Sequence, residues 1–473
     1  MMTGPDTRAP EDAPPASGGA PSLGHRTSMR FRGGAPALLR LPWGLPLDAW
    51  PDAGITFLQL PVGESRHVVR FVSVEGEVVA CKELPLRPGQ KEYDVMRALE
   101  EKGAPAVRVV GLVERPDEDV AVVVTAYLAR SLQLRRLFRR LPEAARRHRE
   151  RLLDAMATLL VELHRNGVFW GDCSLANTLL LRDGQSLQAH LVDAETSEVH
   201  ARLSDGQRSL DVDLAVENVA GDLLDLAIAE GRSLDEADDD LAAAESLRER
   251  YENLWAELHR AEPVRANERY RVEARLRRLN ALGFVVQEVR LDPVGDGDAQ
   301  IARLRVAVGD RRFHAERLLR LTGLVAGEGQ ATVLLNDLAA WAGLSRPEDP
   351  GPLGDEPLTA GAFSPMHQVA RRWVHQVFEP AVLRLREVLG PDLDPIQAYC
   401  DLLEVKWLLS EQAGHDIGDH MAVEHLAAHT VPVDSAAATA VAEEPTTVGP
   451  AGEAVPVEPA AVAPLFAPGG GAA

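Results

Sequence analysis

The order of apolar runs between residues 55 and 127 constrains the fold more than any other feature of this 473-residue chain. Residues 55–60 and 67–74 read as two strands, joined by 61–66, and a turn at Glu75-Gly76-Glu77 leads into a third strand, 78–82. A helix is expected over 92–102, where Tyr93, Met96, Ala98 and Leu99 supply apolar positions at helical spacing. Two further apolar runs, 107–113 and 120–127, flank the polar turn at Arg115-Pro116-Asp117-Glu118-Asp119. Residues 132–164 then read as helical, with Leu152, Leu153, Met156, Leu159, Leu160 and Leu163 as an apolar stripe in the second half. Asn166-Gly167 is a C-terminal stop. The loop Trp170-Gly171-Asp172-Cys173-Ser174-Leu175-Ala176-Asn177 follows at once, ahead of a short apolar hairpin around Arg182-Asp183-Gly184.

The composition allows a real core but shapes it. Hydrophobic residues make up 45% and aromatics only 5%, so Leu, Val and Ala must fill most of it. A formal net charge of −22 favours solubility and argues against nucleic acid as a general partner. Cys81, Cys173 and Cys400 are far apart and odd in number, which suits neither a disulfide framework nor a CxxC metal site. A reducing cytoplasm fits. The start of the chain lacks the basic-then-apolar order of a signal peptide, and no run is long and apolar enough to span a bilayer.

The loop at 170–177 carries the chemistry. Phosphoryl transfer needs a carboxylate near the acceptor oxygen, to orient it and take its proton. It also needs hard-oxygen metal ligands nearby, because Mg²⁺ takes few protein ligands and keeps phosphates and waters. Asp172 and Asn177, five residues apart, present both groups from one turn. Asp193, at the end of the apolar Leu191-Val192, suits a second metal ligand. A bare D-x-x-x-x-N is common by chance, and its position after the leucine-striped helix gives it meaning. Asp211 and Asp213, ahead of an apolar stretch at 214–226, favour a structural tie or a helix-dipole role over catalysis. His415, Asp416, Asp419, His420, His425 and His429 read as polar surface rather than a metal site, since Gly418 interrupts their spacing.

With these residues in view, the chain resembles the protein-kinase-like superfamily. More narrowly it is similar to a bacterial lipopolysaccharide-kinase-like family whose catalytic segment reads W-G-D-C-S-x-x-N-T-L, followed by L-V-D-A-E-T. Residues 170–179 and 191–196 carry the match, and Arg66-His67-Val68-Val69-Arg70-Phe71 and Ser204-Asp205-Gly206-Gln207-Arg208 extend it over roughly residues 38–428. The resemblance implies an α+β, bilobal fold with a β-rich small lobe and a helical large lobe, using ATP and Mg²⁺. It implies that Lys82, at the end of the third strand, reaches the nucleotide's phosphates. Glu92 would anchor that ammonium, with Glu100 as fallback; the alternative is a strand-end lysine facing solvent. It places the phosphate cover at 61–66, where Gly63 and Ser65 would donate to phosphate; with one glycine, the segment equally suits an ordinary hairpin loop. Asp172 would be the catalytic carboxylate, and Asn177 and Asp193 the Mg²⁺ ligands. The family pattern is departed from at the missing Gly-rich loop, the absent His-Arg before Asp172 and the replaced Phe-Gly after Asp193. These departures count against protein substrates and activation-loop control.

The expected organisation is a disordered tail at 1–36, the small lobe at 37–128, the large lobe at 129–260, a small α+β domain at 261–345, a linker at 346–361, a helical C-terminal element at 362–429 and a second disordered tail at 430–473. The expected function is phosphorylation of a hydroxyl on an unknown acceptor, an envelope sugar or another small molecule. The rival is a nucleotide-binding pseudokinase acting as a scaffold or regulator. The arginines between Arg130 and Arg151 suit an anionic partner, or a solvated face paired to acidic neighbours.

Overall fold

The computed structural model describes residues 27–33, 36–60, 66–141, 146–232, 238–265, 268–293, 301–343, 365–391 and 393–429. Gly63, Ser65 and the linker at 346–361 lie outside them. The chain divides into two compact units. The first holds the described residues of Met1–Leu58, Ser65–Tyr93 and Val109–Tyr127, and the second those of Gln59–Glu64, Asp94–Arg108 and Leu128–Ala473.

The first unit is a five-stranded antiparallel sheet built from β1 (Ser28–Phe31), β2 (Val68–Val74), β3 (Glu77–Pro85), β4 (Val109–Arg115) and β5 (Val120–Ala126), in the order β1-β4-β5-β3-β2. Glu75 and Gly76, both at positive φ, close the β2–β3 hairpin as a two-residue turn whose twist matches the strands. Two expectations are corrected here. Residues 55–60 form no strand; they contribute a single bridge, Leu58 to Phe71. The fifth strand comes instead from Ser28–Phe31, inside the segment expected to lack order, pairing with Glu114 to Gly111. The reason is what the intervening residues bury. Three short turns, Pro36–Arg40, Leu47–Ala49 and Pro51–Ala53, set Leu38, Trp43, Leu47 and Trp50 into the core with Val72, Val79, Val113 and Val124. Phe57 stacks at 6.2 Å on Trp50 and so joins this cap rather than a ladder. Arg115, 3% exposed, fastens the cap by donating to the carbonyls of Trp43 and Leu45 and pairing with Glu83.

Helix α1 (Leu86–Glu101) begins well before the expected start at 92. Pro88 and Gly89 read as breakers, yet a first-turn proline forfeits no hydrogen bond. A Cβ on Gly89 would lie 2.6 Å from the Ala121 Cβ, so glycine is what lets the helix pack this closely on β5.

In the second unit, the expected helix at 132–164 is interrupted. Leu132–Gln133 (β6) pairs with Leu180 and Leu179 of a later strand, and α2 (Leu134–Arg140) and α3 (Arg146–Arg165) follow. All six leucine-stripe residues of α3 are buried. After it come β7 (Val168–Phe169), the hairpin β8 (Thr178–Asp183) and β9 (Ser186–Leu191), β10 (Glu198–Val199), α4 (Asp205–Ala229) and α5 (Asp238–His259). A three-stranded sheet of β11 (Glu262–Arg265), β12 (Phe284–Pro293) and β13 (Ile301–Arg311), with α6 (Arg269–Ala281), leads to α7 (Phe313–Thr322) and α8 (Glu328–Trp341). Four further helices close the described chain: α9 (Pro365–Trp373), α10 (Glu379–Leu389), α11 (Pro395–Ala413) and α12 (Gly418–His429). Helices α7 and α8 share one core with α9–α12 through Leu318, Leu334, Leu338, Trp373, Phe378 and Tyr399.

This appended region is welded to the hairpin. Asp183, 3% exposed, accepts from the amides of Gly329 and Gln330 at 2.7 and 2.8 Å and so caps α8 from a strand 146 residues earlier in sequence. A Cβ on Gly329 would lie 2.1 Å from the Asp183 carbonyl oxygen, so only glycine admits that approach. Gly184 bonds Gln397, and Arg182 pairs with Asp401 and Glu404. Asp183→Ala should therefore cost about 1–2 kcal/mol, read as a lower urea midpoint, because two partly buried amides lose their acceptor. A midpoint unchanged from wild type would show that the cap contributes nothing.

Candidate active site

The sequence-predicted residues fall into two groups, one in each unit. In the first, the Lys82 ammonium lies 3.1 Å from Glu92 Oε2 and 3.3 Å from Oε1, with both side chains largely out of solvent. Glu92 occupies the second turn of α1 rather than its head, because the helix starts at Leu86. The partner is Glu92 and not the fallback Glu100.

In the second unit the loop at 170–177 is held at both ends by carboxylates of α4. Asp211, fully buried, accepts from the Trp170 and Gly171 amides at 2.6 and 2.7 Å. It lies within α4 rather than ahead of it. His164, at the end of α3, places Nε2 2.8 Å from the same carboxylate and Nδ1 2.7 Å from the Tyr251 hydroxyl. A carboxylate only accepts, so Nε2 donates, and in the neutral ring Nδ1 accepts from Tyr251. Further along, Asp222 accepts from the Leu175 amide at 2.8 Å and pairs with Arg135. Burial raises the Asp222 pKa from the ordinary carboxylate value, opposed by the Leu175 amide and Arg135. Gly171 sits at φ +78°, where a side chain is strained, and that fits a glycine where a protein kinase has arginine. Burial, with Asp211, Asp172 and Asp222 close by, pushes the Cys173 thiol well above its usual range, so it is packing rather than a nucleophile.

Asp172 and Asn177 are brought together: Asn177 Nδ2 donates to Asp172 Oδ2 at 3.0 Å and to its carbonyl at 3.2 Å. Asn218 Nδ2 reaches Asp172 Oδ1 at 3.4 Å. Asn218 and His164 are the residues that sequence reading missed as part of this site. The signal was present: Asp211, Asn218 and Asp222 are spaced seven and four apart, which puts them on one helix face. Asp193 belongs to the same neighbourhood through the backbone. The Val192 amide donates to the Asn177 carbonyl at 3.2 Å, and Trp170 Nε1 donates to the Asp193 carbonyl at 3.3 Å. The Asp193 carboxylate accepts from the Glu195 amide at 3.1 Å. Asn177 and Asp193 thus present hard oxygen donors from adjoining segments, the donor type Mg²⁺ takes. Among the described residues no group of three or more His, Cys, Asp or Glu side chains could hold a metal ion. That includes the C-terminal His/Asp cluster, where Asp419 pairs with Lys406 and His420 with Glu424.

The arginine-rich segment is mixed, with Arg139, Arg140, Arg146, Arg147 and Arg151 exposed and others tied inward. Arg135 pairs with Asp222, Arg146 with Glu150, and Arg149 with the buried Asp240 while lying over the Phe138 ring. Among the described residues no helix is long and apolar enough to cross a membrane.

Residues 79–215 match the model of the lipopolysaccharide kinase (Kdo/WaaP) family, and residues 253–431 match a domain of unknown function, DUF4032. No curated protein matches the chain. A solved structure, "WaaP in complex with acyl carrier protein", is similar over 48% of this chain and 99% of that one, at 19% identity and a TM-score of 0.31. The chain is thus similar to the lipopolysaccharide kinase (Kdo/WaaP) family over residues 79–215 and to DUF4032 over the segment behind it.

Proposed function

We propose that the protein is an ATP- and Mg²⁺-dependent phosphotransferase that phosphorylates a hydroxyl of a sugar or other small-molecule acceptor. The observation that carries this reading is the Lys82–Glu92 pair. A lysine side chain is a point charge on a flexible stem, and a buried glutamate holding it at 3.1 Å fixes where its charge sits. Lys82 then binds nucleotide phosphates. Asp172, fixed by Asn177 and Asn218, orients the acceptor hydroxyl and takes its proton as the phosphoryl group arrives. Asn177 and Asp193 would hold Mg²⁺, which when bound neutralises charge on the phosphates. Asp211 and Asp222 keep the loop backbone fixed, so the rate comes from positioning and charge rather than from a covalent intermediate.

The test is Mg²⁺-dependent ATP turnover by the purified full chain across a panel of hydroxyl-bearing acceptors. Lys82→Met should reduce turnover by about 10²–10³-fold, the range for losing one preorganised electrostatic contact in an active site. Thermal stabilisation by ATP with no turnover across the panel would favour the pseudokinase reading instead.

A further inference from the structure

A polar cavity within the second unit has none of the residues just described in its lining. It has a volume of about 250 Å³ and is formed where residues 103–106, the end of α3, β9 and the end of β13 meet. Its wall therefore draws on both matched segments, with Glu162, Arg165 and His190 from one side and Asp310, Arg311 and Arg312 from the other.

Two groups on this wall form no ion pair with a described residue. The Glu162 carboxyl makes no hydrogen bond or ion pair with any described residue, and burial pushes it up to about 7. His190 Nδ1 is sealed from solvent and so lies out of reach of a molecule in the cavity. Arg311 donates Nε to the Leu282 carbonyl at 3.1 Å and forms no ion pair with a described residue. The other cations are engaged. Arg165 donates to the carbonyls of Val308 and Gly309 at 2.5 and 2.8 Å and lies over the Phe284 ring, while Arg312 pairs with Asp310 and Glu316.

Arg311 is the leading charge that lowers the Glu162 pKa, yet the two close no ion pair. A cation and a carboxyl that share a cavity without touching leave both with unmet hydrogen-bonding capacity, which is costly in a partly dry site. A molecule with a negative group at one end and hydroxyls at the other engages both, because guanidinium only donates whereas a carboxylate accepts from hydroxyls.

We propose that this cavity binds a small anionic polyol, with its charged group on Arg311 and its hydroxyls on Glu162. The wall is continuous with the candidate metal-ligand strand: the Val107 amide donates to the Leu191 carbonyl and the Leu191 amide to the Pro105 carbonyl, both at 3.0 Å, two residues before Asp193.

The test is calorimetric titration of the full chain at neutral pH with glycerol 3-phosphate and gluconate, which separate a phosphate from a carboxylate head. Inorganic phosphate and glycerol serve as half-ligands. At least one polyol anion should bind saturably, with each half-ligand weaker by about tenfold or more. Arg311→Met and Glu162→Leu should each weaken it by a similar factor, while Lys82→Met should not change it. In the wild-type protein the ligand should also slow amide hydrogen exchange at 103–106 and 310–312, which keeps the idea testable if a variant fails to fold. Absence of saturable binding by both polyol anions would overturn the proposal. So would affinity lost in Lys82→Met but kept in both cavity variants, since that places the anion at the nucleotide-phosphate site.

Discussion

Asp172→Asn is expected to slow phosphoryl transfer by about 10²–10⁴-fold, the usual worth of a positioned general base, with little change in ATP affinity or melting temperature. The substitution is nearly isosteric. The new amide oxygen still accepts from Asn177 Nδ2, the bond that measures 3.0 Å in the wild type. Its amide NH₂ meets Asn218, which can turn its own oxygen toward it in place of the 3.4 Å donation to Asp172 Oδ1. The loop therefore keeps its shape while losing the one group that accepts a proton from the acceptor hydroxyl. Single-turnover measurements at saturating ATP separate this from a binding defect. Equal rates in the two proteins would sink the phosphotransferase reading, whatever the acceptor.

The sequence disclosed the parts of this molecule that depend on short-range pattern. The β2–β3 hairpin, the leucine stripe of α3 and the β8–β9 hairpin follow from period and turn chemistry, so they appear close to where the residues place them. The pairing of Lys82 with Glu92 was legible through the resemblance, which calls for a helix glutamate to hold the strand lysine. What was not legible depends on contacts distant in sequence. Ser28–Phe31 is four residues long, too short to show a period, and only its pairing with β4 makes it a strand. Apolar residues between 36 and 58 have no period because they cap a sheet as irregular turns anchored by Arg115. Asp183 read as a turn residue, and its role as a helix cap needs a partner 146 residues away. The common core of α7–α12 likewise ignores the Pro/Gly composition that suggested a break before residue 362.

Asp211→Asn should be the most destabilising conservative substitution in the second unit, at about 3–5 kcal/mol, the range for removing one partner of a buried charged network. The wild-type carboxylate accepts three donors with two oxygens: the Trp170 and Gly171 amides and His164 Nε2. Asparagine has one acceptor oxygen, and its NH₂ must point at a donor however it is turned. Either the Gly171 amide, or the Trp170 amide together with His164 Nε2, is then left facing another donor in a site with no solvent exposure. His164 has a second tautomer, which offers Nε2 as acceptor and turns Nδ1–H toward the Tyr251 hydroxyl that Arg208 already donates to. That switch relieves the ring alone, and a loop amide stays opposite the asparagine NH₂ in either orientation. The loss should appear in urea unfolding as a lower midpoint at unchanged m. Turnover at low temperature, where the variant is still folded, should fall as well, because the same two amides fix the residues immediately before Asp172. His164→Phe should cost less than Asp211→Asn, since it removes one donor and leaves both loop amides bonded. The reverse order would mean that the ring, and not the carboxylate, holds the loop in place.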